Sequence, residues 1–325
     1  MLPDVDERGR QRATEQPDGV LAVVRHGVSA QPPSPAGPVE ARTPNGWLSG
    51  DRTEEVWPAA GRVVRPVIDG VVAAADRRSL FASVEVATDP AAPLDGCAFD
   101  LYGRLLRGAA QAGFPHLLRM WNYVPRIHDR SSGIERYMSF CKGRSEAFAA
   151  HFGDAFPDRL PAASAVGCPG DVLVVHLLAS SAPGRHVENP RQVSAYLYPE
   201  RYGPRSPSFA RGTVAPAAWD GEVFISGTAS IVGHESVFPG QPALQAKEAM
   251  RNVEAVLDAA GVPGRGGALG PRLRSLRIYV RVPRQLEAIR TAVIACAGPA
   301  VPTAWLQAEI CREELLVEIE ATART

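Results

Sequence analysis

Glu318 is the carboxylate of this chain best placed to move a proton. It stands in the run Cys311-Arg312-Glu313-Glu314-Leu315-Leu316-Val317-Glu318-Ile319-Glu320-Ala321, which together with Pro302-Thr303-Ala304-Trp305 predicts two strands around a tight turn. On a period of two, Leu315, Val317 and Ile319 share one face, and Leu316, Glu318 and Glu320 the other. A carboxyl group held mid-strand among apolar neighbours has its pKa raised by desolvation, the property a general acid working near neutral pH requires. The competing reading is a solvated sheet face on which Glu318 does nothing.

Binding chemistry is suggested further upstream. Ser132-Gly133-Ile134-Glu135 has capping-box spacing and predicts a helix running to about Phe152, with Ile134, Met138, Cys141, Phe148 and Phe152 as its apolar stripe. Tyr137 and Arg144, seven apart, share a neighbouring face of that helix, where an exposed pair is the ordinary alternative. Val193 to Tyr198 predicts a strand with Ser194, Tyr196 and Tyr198 on one face. The Pro-rich loop Pro199 to Arg211 carries Arg205 and Arg211 and suits either a binding loop or a linker. Glu222 to Ser226 predicts a strand ending at Gly227, whose missing side chain fits a close ligand approach or a simple bulge.

The elements that must position these residues occur twice. Pro161-Ala162-Ala163-Ser164 leads through Cys168 and the turn Pro169-Gly170-Asp171 into Leu173-Val174-Val175-His176-Leu177-Leu178-Ala179. Matching Ala179 to Ala321 sets His176 against Glu318. Before these hairpins, Gly113-Phe114-Pro115 leads into Leu117 to Pro125, as Gly261-Val262-Pro263 precedes Leu276 to Pro283. Each copy is expected to hold a strand, a helix, a strand, a second helix and a closing hairpin, the second with a Gly-rich insertion between Gly264 and Pro271. In the first copy the opening strand is Phe81 to Val86 and the first helix Cys97 to Ala112. In the second the helices are Pro242 to Ala260, with Leu244, Val253, Val256 and Leu257 as its stripe and Gly261 as its stop, and Leu286 to Ala297.

Length and composition agree with two units. The 325 residues, 45% hydrophobic, suffice for two cores of ordinary size. The expected division is an irregular Pro-rich segment over 1–55, a first lobe over 56–185 and a second over 186–325 carrying Glu318. With 35 basic and 35 acidic residues the net charge is zero, which argues against nucleic acid or an anionic membrane as partner. No apolar run reaches a membrane span and the N-terminus lacks signal-peptide character, so a cytoplasmic location is expected. Cys97, Cys141, Cys168, Cys296 and Cys311 show no pairing pattern, and neither a metal site nor a nucleotide loop is visible, so no metal or cofactor is expected. No G-x-S-x-G elbow occurs, and neither His186 nor His234 has a context that identifies a nucleophile partner.

The second copy, through Gly221 to Gly227, Asn252 to Gly261 and Leu316 to Ala321, resembles the YjgF/RidA family of small α+β proteins. Imine deaminases of that family carry a carboxylate-binding Arg two residues after the Pro that opens the last hairpin, and Ala304 stands there. Over most of its length the chain is more specifically similar to the chorismatases, on Met120 to Ile127, Glu135-Arg136-Tyr137 with Phe140 to Arg144, Val187 to Tyr196, Tyr202 to Arg211, and Ser226 to Ser230. That resemblance implies an α+β fold of two tandem RidA-like, chorismate mutase-like lobes, each a mixed sheet with helices on one face. It implies chorismate as substrate, Tyr137, Arg144, Tyr198 and Arg211 as the residues that bind it, and Glu318 as the catalytic acid, with no cofactor. Cys311 and Gly227 resemble the branch that excludes water and forms 3-hydroxybenzoate plus pyruvate, a starter unit a downstream loading enzyme would take in polyketide (antibiotic) secondary metabolism. The alternatives are the hydrolytic branch, giving 3,4-dihydroxycyclohexa-1,5-diene carboxylate, and a non-catalytic RidA-like ligand-binding protein.

Overall fold

In the computed structural model the described residues are 14–16 (backbone only), 19–27, 38–264 and 269–325. The strands and helices that matter here are, in chain order, β1 (Val20–His26), β2 (Val39–Thr43), β3 (Gly46–Gly50), β4 (Glu54–Pro58), β5 (Val72–Ala75), β6 (Ser79–Ala87), α1 (Asp95–Gln111), β7 (His116–Pro125), α2 (Arg136–Phe152), β8 (Ala162–Cys168), β9 (Val172–Ser180), β10 (Arg185–Val187), β11 (Gly212–Val214), β12 (Glu222–Thr228), α3 (Pro242–Ala260), β13 (Leu273–Val280), α4 (Leu286–Ala297), β14 (Thr303–Gln307) and β15 (Val317–Arg324).

The expected duplication is present, strand for strand. The first large sheet has the inner order β5-β6-β9-β7-β8 and the second β11-β12-β15-β13-β14. In both, two helices cover one face. The register agrees with the alignment of the copies: His176 pairs with Trp121 and Glu318 with Tyr279, while Leu178 pairs with Arg119 and Glu320 with Arg277. Alternation assigns the faces. Leu173, Val175, Leu177 and Ala179 of β9 meet α1 and α2, as Val317, Ile319, Ala321 and Ala323 of β15 meet α3 and α4. The opposite faces of both sheets close a third core with β1 and β2, through Leu21, Val24, Val39, Phe81, Leu178, Phe224 and Tyr279.

Several expectations fail. The segment before residue 56 is not irregular where it is described: β1, β2 and β4 form a three-stranded sheet, and β3 joins the far edge of the second lobe, with Gly50 opposite Ala304. Prolines are absent from β1, β2 and β3; the Pro-rich run from Gln31 to Gly37 lies outside the described residues, as do 265–268 of the Gly-rich insertion. The closing hairpins are not hairpins. β8 and β9 flank β7 on opposite sides, and β14 and β15 flank β13, because each helix crossover makes β7/β8 and β13/β14 parallel pairs. Helix α2 starts at Arg136 with no side-chain cap, the capping-box residues instead forming a small ribbon of Arg130–Ser131 with Ile134–Glu135. Leu244 is 38% exposed rather than in the α3 stripe. Val193 to Tyr198 contains a 3-10 turn over Ala195–Leu197 instead of a strand. The stop at Gly261 is as expected, in the left-handed region at φ 79°.

The two lobes meet along β8 and β12, joined by side-chain hydroxyls rather than by a continuous ladder. Ala162 N donates to Thr213 Oγ1 and Ala163 N to Ser226 Oγ, both at 2.9 Å. The site opens beside this seam.

Candidate active site

A cavity of about 290 Å3 brings together the residues proposed from sequence, with Tyr137 and Arg144 from α2, Tyr198 and Arg211 from the inter-lobe loop, and Gly227, Cys311 and Glu318 from the second lobe. Tyr196, expected beside Tyr198, packs on the first lobe's core instead.

Arg144 is 1% exposed and Arg211 4% exposed, and among the described residues neither has a carboxylate within ion-pair distance. Arg144 lies over the Phe140 ring at 5.1 Å, has the Tyr102 hydroxyl beside it as a neutral partner, makes a long 4.0 Å contact to Cys141 Sγ, and has Nε without a partner. Arg211 donates from Nη2 to Tyr198 Oη at 2.8 Å and to Val193 O at 3.0 Å, leaving Nε free. Buried guanidinium groups without counterions are costly, and their remedy is an anion in the cavity.

Glu318 is 4% exposed. Burial, reinforced by the neighbouring charge of Glu320, pushes its carboxyl up to about 8, against the pull of Arg119 and Arg211. The solvated-face reading therefore fails: at neutral pH Glu318 carries a proton and faces the cavity. Glu320, two residues on, is held below its usual range by Arg119 and Arg277 despite its burial. Two carboxyls on one strand face are thus driven to opposite protonation states.

Gly227 has a role the sequence did not suggest. A Cβ there would overlap Glu318 Oε1, lie 2.7 Å from its Cδ and 3.0 Å from Ser164 Oγ. The empty position is filled by the catalytic candidate's own carboxyl. The strand register also shifts between Ile225 and Thr228, so the bulge foreseen as the alternative is present. Gly227 N donates to Ser164 Oγ at 2.9 Å, and Arg119 Nη2 donates to the same oxygen. Cys311 lines the cavity with its thiol pushed up by burial and by Glu318, so it is present as the neutral thiol.

Sequence reasoning missed Ser164, Arg119, Glu320 and Arg312. Arg312 stacks on the Tyr202 ring at 4.0 Å and donates to His234 O and Ser236 Oγ, tying the turn before β15 to the loops around the cavity. A signal for Arg119 existed, since aligning the copies sets it on Arg277.

Among the described residues no group of three His, Cys, Asp or Glu is arranged to hold a metal ion, and no helix is long and apolar enough to cross a membrane.

Comparison with known proteins agrees with this geometry. Residues 55–179 match the family model described as Chorismatase FkbO/Hyg5-like, N-terminal. The chain is 36% identical over 275 residues to a 3-hydroxybenzoate synthase of Streptomyces hygroscopicus, covering 82% of this chain and 80% of that one. It is 37% identical over 279 residues to a chorismatase of Streptomyces rapamycinicus, with the same coverage. A crystal structure of a chorismatase superposes with a TM-score of 0.81 at 30% identity, covering 96% of this chain and 97% of the other. With such similarity along most of its length and throughout its fold, this chain belongs to the chorismatase family.

Proposed function

We propose that this protein is a chorismatase that cleaves the enolpyruvyl ether of chorismate to 3-hydroxybenzoate and pyruvate. The observation that carries the reading is a buried, protonated Glu318 at a cavity that also holds two buried guanidiniums without counterions. Chorismate is a dianion, and its ring and enolpyruvyl carboxylates supply the two missing anions. Tyr198, already oriented by Arg211, and Tyr137 add hydroxyls on the same cavity wall.

The reaction begins when Glu318 gives its proton to the enolpyruvyl methylene carbon, creating an oxocarbenium centre at the ether carbon. With water excluded, the neighbouring ring hydroxyl oxygen attacks the carbon bearing the ether. The carbon–oxygen bond to pyruvate breaks, pyruvate leaves as the keto acid, and the hydroxyl proton returns to the Glu318 carboxylate. The resulting ring epoxide opens and loses its ring proton to give the phenol. Atoms and protons balance without a cofactor or a net proton from solvent. Cys311, a neutral thiol, is suited to filling space beside Glu318 and keeping water out, and not to acting as a base.

Incubation with chorismate, followed by mass and NMR analysis, tests the reading. The expected products are 3-hydroxybenzoate and pyruvate, with no oxygen-18 from labelled water in the ring hydroxyl. Chiefly dihydrodiol from the wild-type protein would place it in the hydrolytic branch, and no turnover would remove the enzymatic reading. Cys311→Ala is expected to admit water and divert part of the flux to the diol.

The product's chemistry fits an aromatic starter unit for a loading enzyme of secondary metabolism.

A further inference from the structure

Glu318 and Glu320 leave the same face of β15 one pleat apart, 4% and 6% exposed, so their surroundings decide which of them holds a proton. Glu320 is surrounded by donors. Its Oε2 lies 3.1 Å from Arg119 Nη2 and 3.3 Å from Arg277 Nη1 and accepts from Trp121 Nε1 at 3.0 Å, while its Oε1 accepts from Tyr279 Oη at 3.0 Å. Arginine and the indole N–H cannot accept a hydrogen bond, so Oε2 must be unprotonated, and Arg119, with no other carboxylate at ion-pair distance among the described residues, favours the anion. Arg277 is itself neutralised by Glu55. Glu318 has no ion pair among the described residues and lies in the space left by Gly227.

We propose that Glu320 is the positioning residue that makes Glu318 the acid of the pair. The proposal rests on the chorismatase reading and extends it to a residue outside the cavity. Glu320 lines a separate, smaller space behind the site, with Trp57, Arg119, Phe224 and Arg277, and so has no direct access to a ligand in the cavity. The charges facing Glu318 divide by element. Arg119 of β7 and Arg211 of the inter-lobe loop oppose its proton, and Glu320 on its own strand favours it. The ribbon before α2 adds Glu135, α2 adds Tyr137 and Arg144, and the inter-lobe loop adds Tyr198 and Tyr202, all lining the same cavity. The turn before β15 adds the Cys311 thiol, with Arg312, Glu313 and Glu314 also lining the cavity. Of these, Glu320 is the one anion sealed behind Glu318 and fixed by arginines from both lobes. Arg119 and Arg277 occupy equivalent positions in the two copies, so the duplication itself supplies the clamp.

The test reads the protonation of Glu318 in the resting protein, as the infrared carboxyl band that is lost in Glu318→Gln, alongside the pH profile of kcat. In Glu320→Gln, Arg119 loses its anion and acts on Glu318 unopposed, while Arg277 stays paired with Glu55. The band midpoint and the alkaline limb of kcat are then expected to fall together by about one pH unit or more. Arg119→Gln is expected to move both the other way, and Arg119→Gln/Glu320→Gln to lie between the single variants. A group that merely supports the fold would lower kcat at every pH without opposite displacements. Unchanged midpoints, or shifts of the same sign in both single variants, overturn the proposal. Should Glu320→Gln fail to fold, Glu320→Asp decides: it draws the anion back from Glu318 and from Arg119, so a downward shift supports the proposal and no shift overturns it. Because the infrared midpoint needs no substrate, a failure of chorismate turnover leaves this test intact and refutes only the functional reading.

Discussion

His176 and Glu318 occupy the same position in two copies of one fold, and only Glu318 faces a cavity. Both are buried on the helix-free face of their sheets. His176 is covered by the N-terminal strands: its Nε2 lies 2.9 Å from Arg42 O and its Nδ1 3.0 Å from Ser83 Oγ. Burial drives its pKa down to about 4, so it is a neutral, fully occupied core group. Glu318 is covered by the edge of the other lobe, and between them a cavity remains. The edges show the same divergence. The second lobe's β14 is sealed by β3, with Ala304 buried opposite Gly50, whereas the first lobe's β8 forms part of the cavity wall through Ala163, Ser164 and Ala165. Function in this molecule follows from what is laid over a sheet face, more than from the sheet.

The largest expected effect is at Glu318. Glu318→Gln keeps shape and hydrogen bonding but removes the proton, and is expected to lower kcat by about 100- to 10,000-fold with chorismate binding largely kept, measurable by stopped assay and calorimetry. Pyruvate release at the wild-type rate would eliminate it as the acid. Next come the arginines. Arg144→Ala or Arg211→Ala each leaves one substrate carboxylate unpaired, for an expected 10- to 100-fold loss in kcat/KM that includes weaker binding. Gly227→Ala pushes the Glu318 carboxyl aside, so kcat is expected to fall by about tenfold or more while KM changes less. The smallest kinetic effect is expected at the matched position. His176→Gln removes a buried hydrogen-bonding group, lowering stability by about 1–3 kcal/mol with kcat within about twofold of wild type. A large kcat loss there would break the comparison.

Glu318 should also reveal itself in stability. Its carboxyl titrates near 8 when folded, against an ordinary value of 4.5. Between those pH values the native state holds a proton the unfolded chain has released, so stability falls as pH rises through the window. Glu318→Gln is free of this penalty. Its Tm is expected to match wild type near pH 4 and to exceed it near pH 8, where the penalty on wild-type stability is on the order of 4 kcal/mol. Equal Tm values at both pH values would show that Glu318 is not protonated in the folded protein.

Much of this was legible in the sequence because it rests on local periodicity. The β15 alternation placed Glu318 on the correct face, the bounds of α3 and α4 agree to the residue, and the ordered repeat set His176 against Glu318, which do hold equivalent places in the two sheets. Pairing partners were less legible. Strand alternation is the same whether β14 and β15 pair with each other or with β13 between them. Val193 to Tyr198 alternates like a strand, but Val193 N is already bonded to Gly233 O, and Pro199 cannot continue a ladder. Proline density over the first fifty residues concealed β1, β2 and β3, which contain none. Arg119 was hidden for a different reason: its partner Glu320 lies 201 residues ahead, and only the closed fold brings them together.

The strand β3 carries a cost in time. Thr303 N lies against Asp51 Oδ2, 252 positions away along the chain, beside the β3/β14 pairing. At ordinary ribosomal speeds of about 5–20 residues per second, Gly46–Gly50 emerges roughly 13–50 seconds before the strand it completes. Through that interval it is an unpaired edge, open to other chains. The N-terminal lobe can assemble early, but the far side of the second lobe closes only after Thr303–Gln307 has been made. The slow, aggregation-sensitive step in making this protein is expected to be the docking of that five-residue strand.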